Sequence, residues 1–451
     1  MRIDKSKSTE KSGREISLPR CNMEKLISIA KMMLEKTRET IHAERFYLNA
    51  WIKEHFYPRP KRCKIPFDAF VVLLLKASKK SIQVELNNFL VERTEMSETF
   101  SKQAFSKRRQ LIKPEAIKEL YQVITDTFYK EANYKTLQGY MVVAIDGSRI
   151  NLPDSADIEE YFGNQITGNV PQNQALSSCA FDILNGLYLD AVISPCKSSE
   201  RDLAEDHIDY INHRYGFEKT LYLFDRGYPS AKLLKKLTDC GLKYLFRCDK
   251  TFVKGIKDVG DDCLVTHKFV SASEEMTFRM VRLKLSDEIE EILITNLSED
   301  CFTKEDLKEL YHLRWGIETS YDHAKNDICI ENFSGLTAIA IQQDYYASMY
   351  LFNLSAGFIY DAEGQFNKEH NDKGNKYVYK QNLAVTIGTL KPFVTKMLLA
   401  QSETERDSYL LKIASQVAKA ASKVDPNRQF NRTKKHKTSK FSNSRRPTAL
   451  G

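Results

Sequence analysis

The chain lacks any apolar run long enough to cross a bilayer. Its longest, Ala69 to Leu75, falls far short of the roughly 18 residues a spanning helix needs. The first twenty residues are polar and basic with no apolar centre, so no secretory signal is expected. Nine cysteines are scattered without a single C-x-x-C pair, which leaves zinc and disulfide frameworks unsupported and fits a reducing compartment. No Walker-type glycine-rich loop precedes a Lys-Ser or Lys-Thr pair, so no ATP chemistry is indicated. Tryptophan is scarce: Trp51 and Trp315 are the only two. These absences exclude membrane, secreted and ATP-driven classes and point to a cytoplasmic protein with no membrane partner. The length, 451 residues with 42% hydrophobic and 28% charged side chains, suits two or three ordinary domains.

Acidic residues are also missing where basic ones concentrate. From Pro426 to Gly451 there are eight Lys/Arg and no Asp or Glu, so this tail equals the whole formal net charge of +8. The remainder is balanced overall, yet Arg59 to Lys135 holds 16 basic and nine acidic residues. Both stretches suit a polyanion; for the tail, a solvated segment that aids solubility is the alternative.

Along the chain, 1–20 reads as a disordered basic tail and 21–135 as a helical, DNA-binding domain. Within it, Met23 to Ile41 and Ile117 to Phe128 carry apolar residues at helical spacing. Ser81 to Leu90 and Ser101 to Ile112 are two short helices, the second serine-capped and bearing Lys107, Arg108 and Arg109. Helix, connector and basic helix could form a helix-turn-helix, against the alternative of a plain bundle with a basic face. From Tyr140 the pattern turns to strands. Met141 to Ile145 is apolar; Ser177 to Ile183 and Leu187 to Ile193 flank Asn185-Gly186, a hairpin signal. A helix (Ser198 to Arg214), a strand (Thr220 to Phe224), a helix (Pro229 to Cys240) and a strand (Leu242 to Arg247) follow. This order is that of an α/β, RNase H-like core, with parts at 136–247 and 299–360. Residues 248–298 read as a β-rich insertion. A helix is expected from Lys304 to Asn326, another from Ile341 to Tyr360, a loop over Asp361 to Lys376, a C-terminal helical region at 361–425 and a basic disordered tail at 426–451.

Two aspartates end predicted strands: Asp146, before Gly147-Ser148, and Asp225, before Arg226-Gly227-Tyr228. Ligands of α/β folds gather at such carboxyl ends, although a lone strand-end Asp more often caps a turn. The helix Lys304 to Asn326 carries Tyr311, Arg314, Glu318 and Lys325. At about 100° per residue these four fall within an arc of roughly 60°. One carboxylate, two cations and a tyrosine on one face suit a metal-bound phosphodiester, with Arg314 and Lys325 on phosphate oxygens and Glu318 as a third acid; ordinary ion pairs on an exposed face are the alternative. His207, His213, His312 and His323 read as surface or helix positions.

The pattern Tyr311-x2-Arg314-x3-Glu318-x6-Lys325, with Asp146-Gly147-Ser148 and Asp225-Arg226-Gly227-Tyr228, resembles the IS-four-like group of bacterial insertion-sequence transposases of the DDE class. The resemblance covers about 136–330. It implies a catalytic, metal-binding triad of Asp146, Asp225 and Glu318, with Mg²⁺ as cofactor and Mn²⁺ as a substitute. It further implies phosphate or DNA contacts by Tyr311, Arg314, Lys325, Arg226 and Tyr228. The implied function is cut-and-paste strand cleavage and strand transfer on double-stranded DNA, at terminal inverted repeats and target, by a homodimer at the bacterial nucleoid. A nuclease without strand transfer, or an inactive transposase-derived DNA-binding protein, are the alternatives. Relatives that excise through hairpin ends can stack a flipped base on a tryptophan in the insertion. Here 248–298 has none, and Phe252, Phe269 or Phe278 would have to offer that face.

Overall fold

The computed structural model describes residues 28–53, 64–76, 81–92, 100–167, 170–252, 260–269, 275–284, 290–370 and 379–423. The expected tails at 1–20 and 426–451 lie outside them, as does the connector after the first of the two short helices.

Six helices come first: α1 (Ile29–His42), α2 (Glu44–Asn49), α3 (Phe67–Leu75), α4 (Ile82–Glu92), α5 (Lys102–Arg109) and α6 (Pro114–Glu131). The longest apolar run of the sequence is the wholly buried end of α3. Ser101 caps α5 by accepting from Ala104 N–H, and Pro114 opens α6 rather than merely ending α5. The α/β part then runs β1 (Met141–Asn151), α7 (Ala156–Phe162), β2 (Asn164–Thr167), β3 (Val170–Asp182), β4 (Leu187–Pro195), α8 (Glu200–Tyr215), β5 (Thr220–Phe224), α9 (Ala231–Asp239), β6 (Lys243–Cys248), β7 (Asp262–Lys268), β8 (Glu275–Lys284) and β9 (Glu290–Thr295). It ends in α10 (Lys304–Leu313), α11 (Trp315–Asn326), α12 (Ala338–His370), β10 (Tyr379–Gln381), α13 (Leu383–Leu390), α14 (Val394–Leu399), α15 (Glu403–Lys419) and β11 (Ala421–Lys423). No helix of the described residues is long and apolar enough to cross a membrane.

One large sheet organises the centre, in the order β2-β3-β1-β5-β6-β9-β8-β7 with β4 on β3. β1 runs parallel to β5, and β5 parallel to β6. The strands β3, β4, β9, β8 and β7 pair antiparallel with their neighbours. Successive β1 residues serve opposite faces. Val142 and Ala144 join the core under α6 and α12, while Met141, Val143 and Ile145 join the core under α8 and α9. A strand buried on both sides must be a continuous apolar run, which is why Met141 to Ile145 stands out in the sequence.

Three expectations change. First, the β-rich segment is not a separate unit: β9 pairs with β6, so β7, β8 and β9 extend the same sheet. Phe269 and Phe278 are spent in that extension, buried in the core under α8 and α9, and Phe252 packs on Phe269 at a centroid distance of 5.2 Å. A ring closed in on its faces is not open to a base, so Phe269 and Phe278 do not replace a tryptophan. Second, Asp361 to His370 is helix, the last third of α12. Asp361 faces inward there and accepts from Ser28 Oγ and from the Ile29 and Ala30 N–H groups, at 2.7, 2.9 and 3.0 Å. Its polarity marks a cap for α1, not a loop. Third, the helix expected from Lys304 to Asn326 divides at Arg314. The bonds Arg314 N–H to Tyr311 O and Ile317 N–H to Arg314 O tighten the turn there.

Candidate active site

The parallel pairing of β1 and β5 sets the site. Ala144 is the last β1 residue paired with β5, opposite Leu223. Asp146 and Asp225 each lie two residues beyond, so the two acids stand at the same level: Asp225 just past the end of β5, and Asp146 inside β1, which does not end there as the sequence suggests but runs on to Asn151 paired with β3 alone. Phe224, the residue before Asp225, stacks on Phe246 and is fully buried. Both aspartates are half-buried, at the point where the apolar runs end.

Helices α10 and α11 lie across these ends and are tied to them by polar bonds. The Tyr311 hydroxyl donates to Asp225 Oδ1 at 3.1 Å. Arg314 Nη2 donates to Glu318 Oε1 at 2.7 Å, and its Nη1 stands 4.0 Å from Asp146 Oδ2. Lys325 Nζ donates to Ser148 Oγ and Arg149 O, at 2.7 and 2.9 Å. Tyr321 shares its hydroxyl between the carbonyls of Asp146 and Ser177. Arg314 is 3% exposed and its Nε has no hydrogen-bond partner among the described residues. Gly316 allows the close approach of α11, because a Cβ there would sit 3.2 Å from Ile183.

Burial pushes the Asp146 carboxyl up to about 6. The Gly147 N–H (2.9 Å from Oδ1) and Arg314 oppose the shift, whereas the charges of Asp225 and Glu200 add to it. Burial also raises Tyr311 above the ordinary tyrosine range, and Tyr228 further. Both rings are therefore neutral hydrogen-bond donors near neutral pH.

The structure brings Asp146, Asp225, Glu318, Tyr311, Arg314 and Lys325 to one place and separates the rest. Arg226 is exposed on the turn after Asp225. Tyr311 and Tyr228 are 4% and 2% exposed, and their hydroxyls go to Asp225 and to Glu200 Oε2 (3.5 Å). They hold carboxylates and do not reach out to phosphate, which corrects the role expected for them. Lys107 is exposed. Arg108 is hooked to Ile65 O and lies over the Phe70 ring. Arg109 is 1% exposed and ion-paired with Asp344 at 2.8 Å, so its expected DNA contact is corrected to an internal tie. Three consecutive cations look alike in composition, but successive positions on a helix point about 100° apart.

Sequence reasoning passed over Tyr321, Ser148 and Glu200. Tyr321 was within reach, since it lies ten residues after Tyr311 and roughly 80° from it on the helix; Glu200 offered only its place at the start of the helix after the hairpin. His207 is on α8 as expected but fully buried, between Asp190 Oδ2 (2.8 Å) and Ser178 Oγ (3.0 Å). All three groups are enclosed, so this chain of bonds fastens α8 to β3 and β4.

A family described as "Transposase DDE domain" matches residues 137–354. This central segment, just under half of the chain, is similar to the DDE transposases. The chain is similar to the IS4-like group: it is 24% identical over 231 residues to "Transposase InsG for insertion sequence element IS4" of Escherichia coli (strain K12), a match covering 48% of this chain. The chain matches about half (51%) of that relative's length. Among solved structures, the piggyBac transposase synaptic complex with hairpin DNA is 11% identical, covering 85% of this chain and 82% of its own, with a TM-score of 0.44. The Mos1 transposase paired-end complex with left transposon end is 10% identical, covering 44% and 62%, with a TM-score of 0.17.

Proposed function

We propose that the chain is a metal-dependent DNA transposase that cuts strands at the ends of an insertion sequence and joins them to target DNA. Asp146, Asp225 and Glu318 are its catalytic acids, on an RNase H-like core. One observation carries this reading. Asp146 in β1 and Asp225 just past β5 stand level on neighbouring parallel strands, and the helix pair α10 and α11, the second bearing Glu318, is fastened to both, through Tyr311 to Asp225 and through Arg314 toward Asp146. The sheet order β4-β3-β1-β5-β6, two antiparallel neighbours on one side of β1 and two parallel strands on the other, supports the core assignment.

The donor set fits Mg²⁺, with Mn²⁺ as a substitute: carboxylate oxygens are hard ligands, and no Cys or His competes for the place. The Asp146 carboxyl, pushed to about 6 chiefly by burial, has Arg314 as its cation at 4.0 Å, and that guanidinium is already bonded to Glu318. The set is not closed up. Among the described residues no three His, Cys, Asp or Glu side chains stand ready to hold an ion, and Glu318 is held by Arg314 instead. When bound, a divalent cation would activate water or a 3′-hydroxyl and stabilise the leaving oxygen. Asp146, Asp225 and Glu318 would hold it. Tyr311 keeps Asp225 turned into the site, and Lys325 fixes β1 at Ser148 and Arg149, just past Asp146. Arg314 is an enclosed fork with one prong on Glu318 and the other 4.0 Å from Asp146, so it sets these two acids against each other. In cleavage, a water oxygen bonds to phosphorus as the bond to the 3′-oxygen breaks. In transfer, that 3′-oxygen bonds to a target phosphorus and displaces a target 3′-oxygen.

The helical domain at 21–135, with exposed Lys107, and the basic tail at 426–451 would hold DNA, and two element ends call for a homodimer working at the nucleoid. The planar fork of arginine gives a test. Arg314→Lys should lower single-turnover cleavage on the order of a hundredfold, with Lys325→Arg milder, since lysine is a flexible point charge and arginine a rigid bidentate donor. Ordinary ion pairs would leave both variants near wild type. Deleting 426–451 should reduce the slope of log affinity against log salt by about 2 or more, because each phosphate that the protein neutralises adds about 0.9 to that slope; an unchanged slope would place the tail off the DNA. Labelled element-end DNA with Mg²⁺ separates the three readings: joined product supports the transposase, cut product alone the nuclease, and a gel shift without cutting the inactive binder.

A further inference from the structure

Glu200 opens α8, just after Ser199, whose side chain caps the helix by accepting from Asp202 N–H. Its carboxyl group packs flat against Gly147, the residue after Asp146. A Cβ on Gly147 would stand 2.9 Å from the Glu200 carboxyl carbon and 3.1 Å from Oε2. Only a glycine leaves that carboxylate its place. On its other side, Glu200 Oε2 accepts from the buried Tyr228 hydroxyl at 3.5 Å, three residues after Asp225. The next residue, Arg201, donates from Nε to Gly227 O at 3.0 Å. The start of α8 is thus wedged between β1 just past Asp146 and the turn that follows Asp225, in contact with both.

Neither neighbour requires Glu200 to be an acid, because a glutamine would accept equally well from Tyr228. Its charge is instead unfavourable as the protein stands. It adds to the negative field at Asp146, in a cluster whose buried cation is Arg314. A carboxylate kept at such a cost to its neighbours calls for a cation.

We propose that Glu200 is a fourth carboxylate of the site, turned toward the same divalent cation as Asp146 and Asp225. The proposal rests on the metal-dependent reading above. Four acids and a phosphodiester set against Arg314 and Lys325 leave three negative charges, more than one divalent cation balances.

The test is Mn²⁺ binding to the full chain without DNA, by titration calorimetry, with circular dichroism to check folding. Glu200→Gln keeps the side chain's size and its acceptor for Tyr228. It should weaken Mn²⁺ about tenfold or more, as Asp146→Asn should, while Glu200→Asp should recover part of the loss. Gly147→Ala displaces the Glu200 carboxylate without removing its charge, and should weaken Mn²⁺ as well; it serves if Glu200→Gln fails to fold. Wild-type Mn²⁺ affinity in Glu200→Gln, with affinity lost in Asp146→Asn, would overturn the proposal and leave Glu200 a spacer. Unchanged affinity in both would overturn the metal-site reading itself.

Discussion

Asp146→Asn, Asp225→Asn and Glu318→Gln are each expected to lower single-turnover strand cleavage on the order of a thousandfold or more, while binding to element-end DNA stays near wild type. A neutral amide keeps the shape but cannot neutralise a divalent cation, and the lost electrostatic stabilisation falls on the transition state. On the proposed reading, DNA affinity is carried elsewhere, by exposed cations. Any one variant that cuts at the wild-type rate removes that residue from the triad. Asp146 carries a second signature. Its carboxyl titrates at about 6 in the folded chain, against the ordinary 3.8. The folded state therefore holds this proton more tightly than the unfolded chain does. The resulting stability is fully present below about pH 4 and is lost as pH rises through 6. Without metal, Asp146→Asn should raise the melting temperature at pH 8, by on the order of 1–3 kcal/mol in stability, and leave it unchanged near pH 4. Metal affinity of the wild type should fall below about pH 6, where the proton competes for the same oxygens.

Arg109→Ala should be the most damaging single change outside the site. Its guanidinium donates to Gln343 Oε1, Ser334 Oγ, Ala340 O and Asp344 Oδ1. It lies over the Phe105 ring at 5.6 Å. Removing it strands the buried Asp344 carboxylate and unfastens α5 from α12. Breaking a buried pair from one side costs about 3–5 kcal/mol, or on the order of 10 °C in melting temperature for a domain of this kind. Lys107→Ala, two residues earlier and exposed, should leave melting unchanged and weaken DNA binding. Equal melting of the two variants would contradict the placement of Arg109.

The contrast between Lys107 and Arg109 shows where a sequence stops being legible. Composition marks a basic stretch, but which cation faces water depends on what α12 brings against it from more than 230 residues away. The site itself was more readable. Asp146 and Asp225 follow apolar runs, and the Tyr311, Arg314, Glu318 and Lys325 spacing puts four side chains on one face; both patterns are local. The structure brings them together as expected, although the helix that carries them is pinched at Arg314. The apolar parts of β1, β3, β4, β5 and β6 were equally local, whereas sequence reasoning passed over α7, β2 and the polar extensions of β1 to Asn151 and of β3 back to Val170. Three things depended on distant contacts. Asp361 looks like a loop residue until the free N–H groups at the start of α1 are seen above it. The partner of β9 is β6, and no periodicity in either strand names the other. Glu200 is an ordinary first-turn acid until Gly147 is found beneath it.

The most direct measurement is to let the metal report its own position. With Fe²⁺ in place of Mg²⁺, ascorbate and peroxide generate hydroxyl radicals that cut the polypeptide next to the bound ion, and the fragments are mapped by mass spectrometry. Cuts should fall at three separated stretches, around Asp146, Asp225 and Glu318. They should be suppressed by excess Mg²⁺ and absent in Asp225→Asn. Cuts confined to other parts of the chain, or none above background in a folded wild-type protein, would contradict the assignment of these carboxylates as the metal site.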